Sequence, residues 1–207
     1  MTDLASQKPE EQLTNMEEVQ THIKNRAEKF ISTLEAIGAG LGWEHISEAE
    51  GITHKESAQR QGDHAVFTGH GICQLAAFAI CDALSPISQG ISFDSVDLQT
   101  DFYAENWLAQ KKQPFEKIRG HCIVKVVDAK SDNAVYIDAA YRQINHTAKD
   151  LIQFIPQKDL GNYYKNASGT IKIIPYTLED KVSLFKEFKD YYGIKERDFN
   201  DLVATMA

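Results

Sequence analysis

The stretch that decides the fold lies at residues 69–84 and reads GHGICQLAAFAICDAL. Two glycines precede a run of apolar residues, and Pro86 follows its end. A helix that is apolar on every side is usually a central, buried helix, and proline shortly after a helix is a common stop signal. The stretch therefore predicts a buried helix over residues 72–84, with Cys73 in its first turn.

A cysteine in the first turn of a helix has chemical options that a cysteine in mid-helix lacks. Its backbone N–H has no partner inside the helix, and the helix dipole there favours the negative charge of a thiolate. The same N–H can donate to a developing oxyanion. Cys73 is thus a candidate nucleophile, whereas Cys81 is expected to be a buried structural thiol, an alternative that stays open for Cys73. Candidate groups for binding an oxyanion or substrate nearby are His70, Gly71 and Ile72.

A base and its orienting group are predicted on a β-hairpin. The segments GHCIVKVVDA and NAVYIDAAYRQI alternate with period two, and KSDN between them has the composition of a turn. A four-residue turn places His121 opposite Arg142, whereas a six-residue loop places it opposite Ala140, diagonal to Asp138. Both registers put His121 and Asp138 on one face of the sheet. We therefore expect His121 to be the base for Cys73 and Asp138 to orient it.

Other interpretations of these residues compete. His121 alone would most often be a strand-edge histidine with local hydrogen bonds, and Asp138 a cap at a strand end. Zinc is disfavoured because the His and Cys spacing fits no compact zinc motif and because adjacent strand residues face opposite ways. The histidines that compete with His121 for the role of base are His54, His64, His70 and His146.

The composition excludes several classes of protein. A net charge of −8 disfavours nucleic acid and anionic membranes as partners. No apolar run is long enough to span a membrane, and residues 1–18 lack the features of a secretory signal peptide. Cys73, Cys81 and Cys122 form no disulfide framework, which predicts free thiols and a cytoplasmic, reducing compartment. Export as an effector through a specialised secretion system stays open.

The order of elements predicts an α+β fold. We expect a disordered tail at residues 1–13 and an N-terminal helical extension at 14–45 that opens with a capping box from Thr14 to Glu17. A catalytic core would occupy residues 46–176, with a helix at 93–111 and short strands at 151–156 and 170–176. Helices at 177–192 and 197–206 would form a C-terminal part, 177–207, packed on that core.

The order of the candidate residues carries a family resemblance. A cysteine at a helix start, then a histidine opening an apolar strand, then Tyr-Ile-Asp-x-x-Tyr-x-Gln at residues 136–143, resembles the papain-like cysteine enzymes. The closest branch is that of transglutaminase-like proteins and bacterial toxin or effector deamidases and proteases. The resemblance covers roughly residues 60–145, and this chain lacks the Pro, Thr and Phe that often follow the aspartate in that branch. Papain relatives also place a Gln shortly before the cysteine as an oxyanion donor. Phe67 stands at about that position here, and Gln61, further upstream, is the candidate that the resemblance offers. It implies a buried central helix packed on an antiparallel sheet.

The resemblance also implies an activity. We expect a thiol-dependent amide hydrolase that acts on a protein substrate, which for an exported effector would be a host protein. Cys73, His121 and Asp138 would form its catalytic triad, with neither cofactor nor metal. Glutamine deamidation and proteolysis use the same core and stay open. The alternatives are a transglutaminase, a small-molecule thiol acyltransferase, or a non-enzymatic module that binds a protein partner through its acidic helical ends.

Overall fold

The computed structural model describes residues 12–40, 72–99, 121–131, 133–141, 148–164, 171–192 and 194–207. Within these ranges the chain has an α+β fold, as predicted. The helices are α1 (Met16–Gly40), α2 (Ile72–Leu84), α3 (Leu160–Tyr163), α4 (Leu178–Tyr192) and α5 (Glu196–Met206). The strands are β1 (Ile91–Gln99), β2 (His121–Asp128), β3 (Ala134–Asp138), β4 (Gln153–Pro156) and β5 (Lys172–Pro175).

The five strands form one antiparallel sheet in the order β4-β3-β2-β1-β5. Strand β2 therefore lies at the centre, where both of its edges are paired. Its alternate residues Cys122, Val124 and Val126 belong to the core cluster that contains α2, and Ile123 belongs to a second cluster on the other face. Because successive strand residues face opposite sides, the sheet separates two apolar layers.

Helix α2 is the centre of the larger layer. The residues from Leu75 to Cys81 are all buried, which confirms the predicted buried helix, and its bounds match the prediction. The apolar side chains of α1 and α5 join the same cluster, among them Phe30 and Leu202. Helix α1 is thus packed into the shared core.

The N-terminal part differs from the prediction at two points. The cap of α1 is Asn15, whose side chain accepts a hydrogen bond from the Glu18 N–H at 3.0 Å, so the predicted capping box from Thr14 to Glu17 is wrong by one residue. Leu13, assigned to a disordered tail, is buried; its N–H donates to the Ile87 carbonyl, and its own carbonyl accepts from the Gln89 N–H. Burial of this apolar side chain explains why the chain is fixed by residue 13.

The helix predicted over residues 93–111 is wrong for its described part, which is strand β1. Residues Ser92 and Asp94 are exposed between buried neighbours, as in a half-buried strand, but Val96, Asp97 and Leu98 are all buried. Ile91 and Phe93 belong to the cluster of α2, whereas Val96 and Leu98 belong to the cluster on the other face, so the apolar alternation changes phase at Ser95. Residues 100–111 lie outside the described ranges.

The β2–β3 hairpin has the second of the two predicted registers. Val127 pairs with Ala134 and Val124 with Ile137, which corresponds to the six-residue loop. Extending this register places His121 level with Ala140 and diagonal to Asp138. The predicted strands at 151–156 and 170–176 are β4 and β5, and the helices predicted at 177–192 and 197–206 are α4 and α5.

Candidate active site at the start of helix α2

Asp138 accepts three of the hydrogen bonds in the candidate site. It lies at the end of β3 and is only 1% exposed. Its Oδ2 accepts hydrogen bonds from His121 Nε2 at 2.7 Å and from the Tyr164 hydroxyl at 2.8 Å, and its Oδ1 accepts one from the Ala140 N–H at 2.8 Å. A carboxylate bonded in this way is fixed in both position and orientation.

His121 opens β2 and is buried beside Asp138. Its ring lies 5.9 Å from the Tyr164 ring, centroid to centroid, on the sheet face that carries the second apolar cluster. The Cys73 side chain also acts on this ring, through a hydrogen bond and its charge.

The charge state of His121 follows from these contacts. Burial lowers the pKa of His121, but the charge and hydrogen bond of Asp138, followed by the hydrogen bond and charge of Cys73, raise it more strongly, to about 10. Two acidic partners therefore outweigh the cost of burying a cation. A pKa raised this far favours the imidazolium form of the ring at neutral pH.

Cys73 lies in the first turn of α2, as predicted, and is half-buried. Its Sγ is 3.1 Å from Oε1 of Gln74, and the side chain packs against the edge of the main core cluster. The helix start supplies backbone N–H groups without intrahelical partners at this point. The structure thus brings together Cys73, His121 and Asp138, three residues far apart in the sequence.

The other two cysteines have a different environment. Burial is the main cause that raises the pKa of Cys81 to about 12, and burial likewise raises the pKa of Cys122 well above its ordinary value. Both thiols are buried and stay protonated at neutral pH. A thiol without thiolate character is a poor nucleophile, so Cys81 and Cys122 are packing residues.

Several residues named as candidates fall outside the described ranges. Gly71 is one of them. The backbone of Ile72 begins α2, but its side chain is not described. Their proposed roles with an oxyanion or substrate stay predictions. Also outside the described ranges are Gln61, His54, His64, His70 and His146.

The sequence did not reveal two polar neighbours of the site. Tyr164 reaches Asp138 from the turn after α3, a connection that has no local sequence pattern. Gln74 carried a weak signal, since it interrupts an apolar run directly after Cys73. A buried polar residue in an apolar helix usually has a specific partner, and here that partner is the cysteine sulfur.

No protein-family model, curated protein or solved structure matches the chain significantly. Among the described residues, no group of three or more His, Cys, Asp and Glu side chains is arranged to hold a metal ion. The helices in the described ranges include none with the length and apolar character needed to cross a bilayer.

Proposed function

We propose that the protein is a thiol-dependent amide hydrolase that acts on a protein substrate through Cys73, His121 and Asp138. One observation carries the proposal: the buried His121 ring contacts Asp138 through Nε2, at 2.7 Å, and also contacts the Cys73 side chain. Nucleophilic catalysis requires a nucleophile, a base that contacts it and a group that orients the base. In this proposal Cys73, His121 and Asp138 take these three roles.

In the first half-reaction the Cys73 thiolate attacks the amide carbonyl carbon and forms a tetrahedral intermediate. Backbone N–H groups at the start of α2 are placed to stabilise its oxyanion. The imidazolium of His121 then gives its proton to the leaving nitrogen as the C–N bond breaks. The products are free amine or ammonia and a thioester on Cys73.

In the second half-reaction water replaces the amine. His121, now neutral, takes a proton from the water as it attacks the thioester carbonyl. The C–S bond breaks, the carboxylic acid leaves, and the thiolate–imidazolium pair is restored. Asp138 accepts the Nε2 hydrogen bond throughout, which holds the ring in place and stabilises the imidazolium.

A papain-like core belongs to the same proposal. The arrangement that supports it is a buried helix with a cysteine in its first turn, packed on an antiparallel sheet whose central strand begins with the histidine. The order Cys, His, Asp along the chain supports it as well. The resemblance to deamidases and proteases of that group is what favours a protein as the substrate, including a host protein for an exported effector.

Peptide mass spectrometry of a treated lysate tests the proposal. A lysate is incubated with the wild-type protein or with Cys73→Ala, which removes only the sulfur atom. Glutamines converted to glutamates indicate a deamidase, new peptide termini a protease, and glutamine–amine adducts a transglutaminase. The proposal is wrong if lysates of several candidate hosts show no difference that depends on Cys73.

A further inference from the structure

Gln74 is a buried polar residue whose side chain touches the candidate nucleophile. It is only 8% exposed, and the α2 residues that follow it, through Cys81, are apolar and buried. Burying a carboxamide is unfavourable unless it is hydrogen-bonded. The bonded partner is Cys73 Sγ, which donates to Oε1 at 3.1 Å.

This contact depends on the protonation state of the sulfur. A neutral thiol donates its proton to a carbonyl oxygen, as in the structure. A thiolate has no proton to donate, so a carbonyl oxygen at the same distance would face a negative sulfur. The carboxamide carries an NH₂ group on its other side, of nearly the same size as the oxygen. A half-turn of the amide replaces the acceptor by a donor without moving the rest of the side chain.

His121 is a second polar neighbour of the sulfur. His121 and Asp138 lie next to each other, and the imidazole ring contacts both Asp138 and Cys73. In the thiolate–imidazolium state, His121 supplies one donor to the sulfur. The Nε2 of a turned Gln74 amide would supply another from the helix side.

We propose that Gln74 is a further catalytic residue, which stabilises the Cys73 thiolate by donating a hydrogen bond from its side-chain amide. The consequence of this hydrogen bond for turnover rests on the proposed function. The effect of the bond on the thiolate does not, because the reactivity of a cysteine can be measured without any substrate.

The test is the pH dependence of Cys73 alkylation by iodoacetamide, followed by peptide mass spectrometry. Gln74→Met keeps the length and burial of the side chain but has no N–H donor. Since a hydrogen bond to a charged group contributes about 1.5–3 kcal/mol, its loss should raise the pH midpoint of alkylation by about one unit or more. Gln74→Glu has a similar shape and presents only acceptors, so its midpoint should rise at least as far.

Thr205 provides a control in another element. It is 7% exposed in α5, and its hydroxyl donates to the backbone carbonyl of Leu202 at 2.7 Å. Thr205→Val likewise removes a buried donor at nearly unchanged shape, and we expect the midpoint for Cys73 to stay at its wild-type value. Circular dichroism establishes that each variant is folded. If Gln74→Met does not fold, Gln74→Glu, which is the closest to glutamine in shape, takes its place in the test.

Two outcomes separate this proposal from the proposed function. If the folded Gln74 variants keep the wild-type midpoint, the role of Gln74 is overturned, even when Cys73 itself is highly reactive. If both Gln74 variants raise the midpoint but no lysate protein changes in a Cys73-dependent way, Gln74 is supported as the thiolate partner and the amide hydrolase is not.

Discussion

His121 and Asp138 are joined by a 2.7 Å contact between Nε2 and Oδ2, although they are diagonal in the hairpin and not directly opposite each other. The diagonal distance in an antiparallel pair is within the reach of long side chains. The arrangement leaves the backbone N–H of Ala140 free to bond Oδ1 of the same carboxylate. A single aspartate can therefore fix the histidine and be fixed by the turn that follows it.

Asp138→Asn should reduce turnover on the order of 10²–10⁴-fold, because His121 loses much of its effect as general base without the carboxylate that orients it. The amide keeps the shape but removes the charge that holds the imidazolium, so the pKa of His121 falls. Alkylation of Cys73 at neutral pH should slow in parallel. Asp94→Asn, a change of the same kind at an exposed position of β1, should leave both rates unchanged; equal losses in the two variants would contradict the role of Asp138.

Tyr164→Phe removes the hydroxyl that donates to Asp138 at 2.8 Å. Because the acceptor is a buried carboxylate, we expect the free energy of unfolding to fall by about 1.5–3 kcal/mol. The control is Tyr141→Phe, whose hydroxyl donates to the neutral Tyr163 carbonyl at 3.3 Å, with an expected loss of about 0.5–1.5 kcal/mol. Urea denaturation compares the two, and a larger loss in Tyr141→Phe would show that the bond to Asp138 is unimportant for stability.

The hairpin and the central helix were predictable from the sequence because their patterns are local. Two segments of period two around KSDN defined the pairing parity of His121 and Asp138, and an unbroken apolar run defined α2. The choice between the two registers was not predictable, since it depends on the loop. Strand β1 was missed because its apolar residues change faces between Phe93 and Val96, which breaks the period of two. Tyr164 was missed because it reaches Asp138 only through the tertiary fold.

Stability should fall as pH rises from neutrality, because of His121. Its pKa is raised from 6.5 in the free side chain to about 10 in the folded protein, so the stability it contributes is fully present below pH 6.5 and is lost as pH approaches 10. Cys81 and Cys122 also lower stability as pH rises, but only near and above 9.0, the ordinary pKa of their thiols.

The contribution of His121 can be isolated below the range in which thiols ionise. The wild type is unfolded with urea at pH 6.5, the ordinary pKa of histidine, and at about pH 8, below the ordinary pKa of a thiol. The free energy of unfolding should be lower at the higher pH. The side chain in His121→Gln cannot titrate, so the free energy of unfolding of this variant should fall less between the two pH values. An equal fall in the two proteins would mean that His121 is not held as an imidazolium.

Phe30→Ala tests whether α1 belongs to the core. Phe30 is fully buried in the cluster that contains α2, so its truncation should lower the free energy of unfolding by about 3–5 kcal/mol in one cooperative transition. Glu28→Ala on the exposed side of α1 should change it by about 0.5 kcal/mol or less. A separate early transition in Phe30→Ala would indicate that α1 unfolds independently of the rest.

Formation of a thioester on Cys73 tests the central claim most directly. p-Nitrophenyl acetate is an activated acyl donor that needs no specific binding site, and an acetyl thioester is removed by hydroxylamine whereas an acetyl-lysine is not. We predict a burst of p-nitrophenolate and a hydroxylamine-sensitive acetyl group on Cys73 in the wild type, a slower burst in His121→Ala, and no burst in Cys73→Ala. A burst that persists in Cys73→Ala, or a wild type in which Cys73 carries no thioester, would contradict its role as the nucleophile.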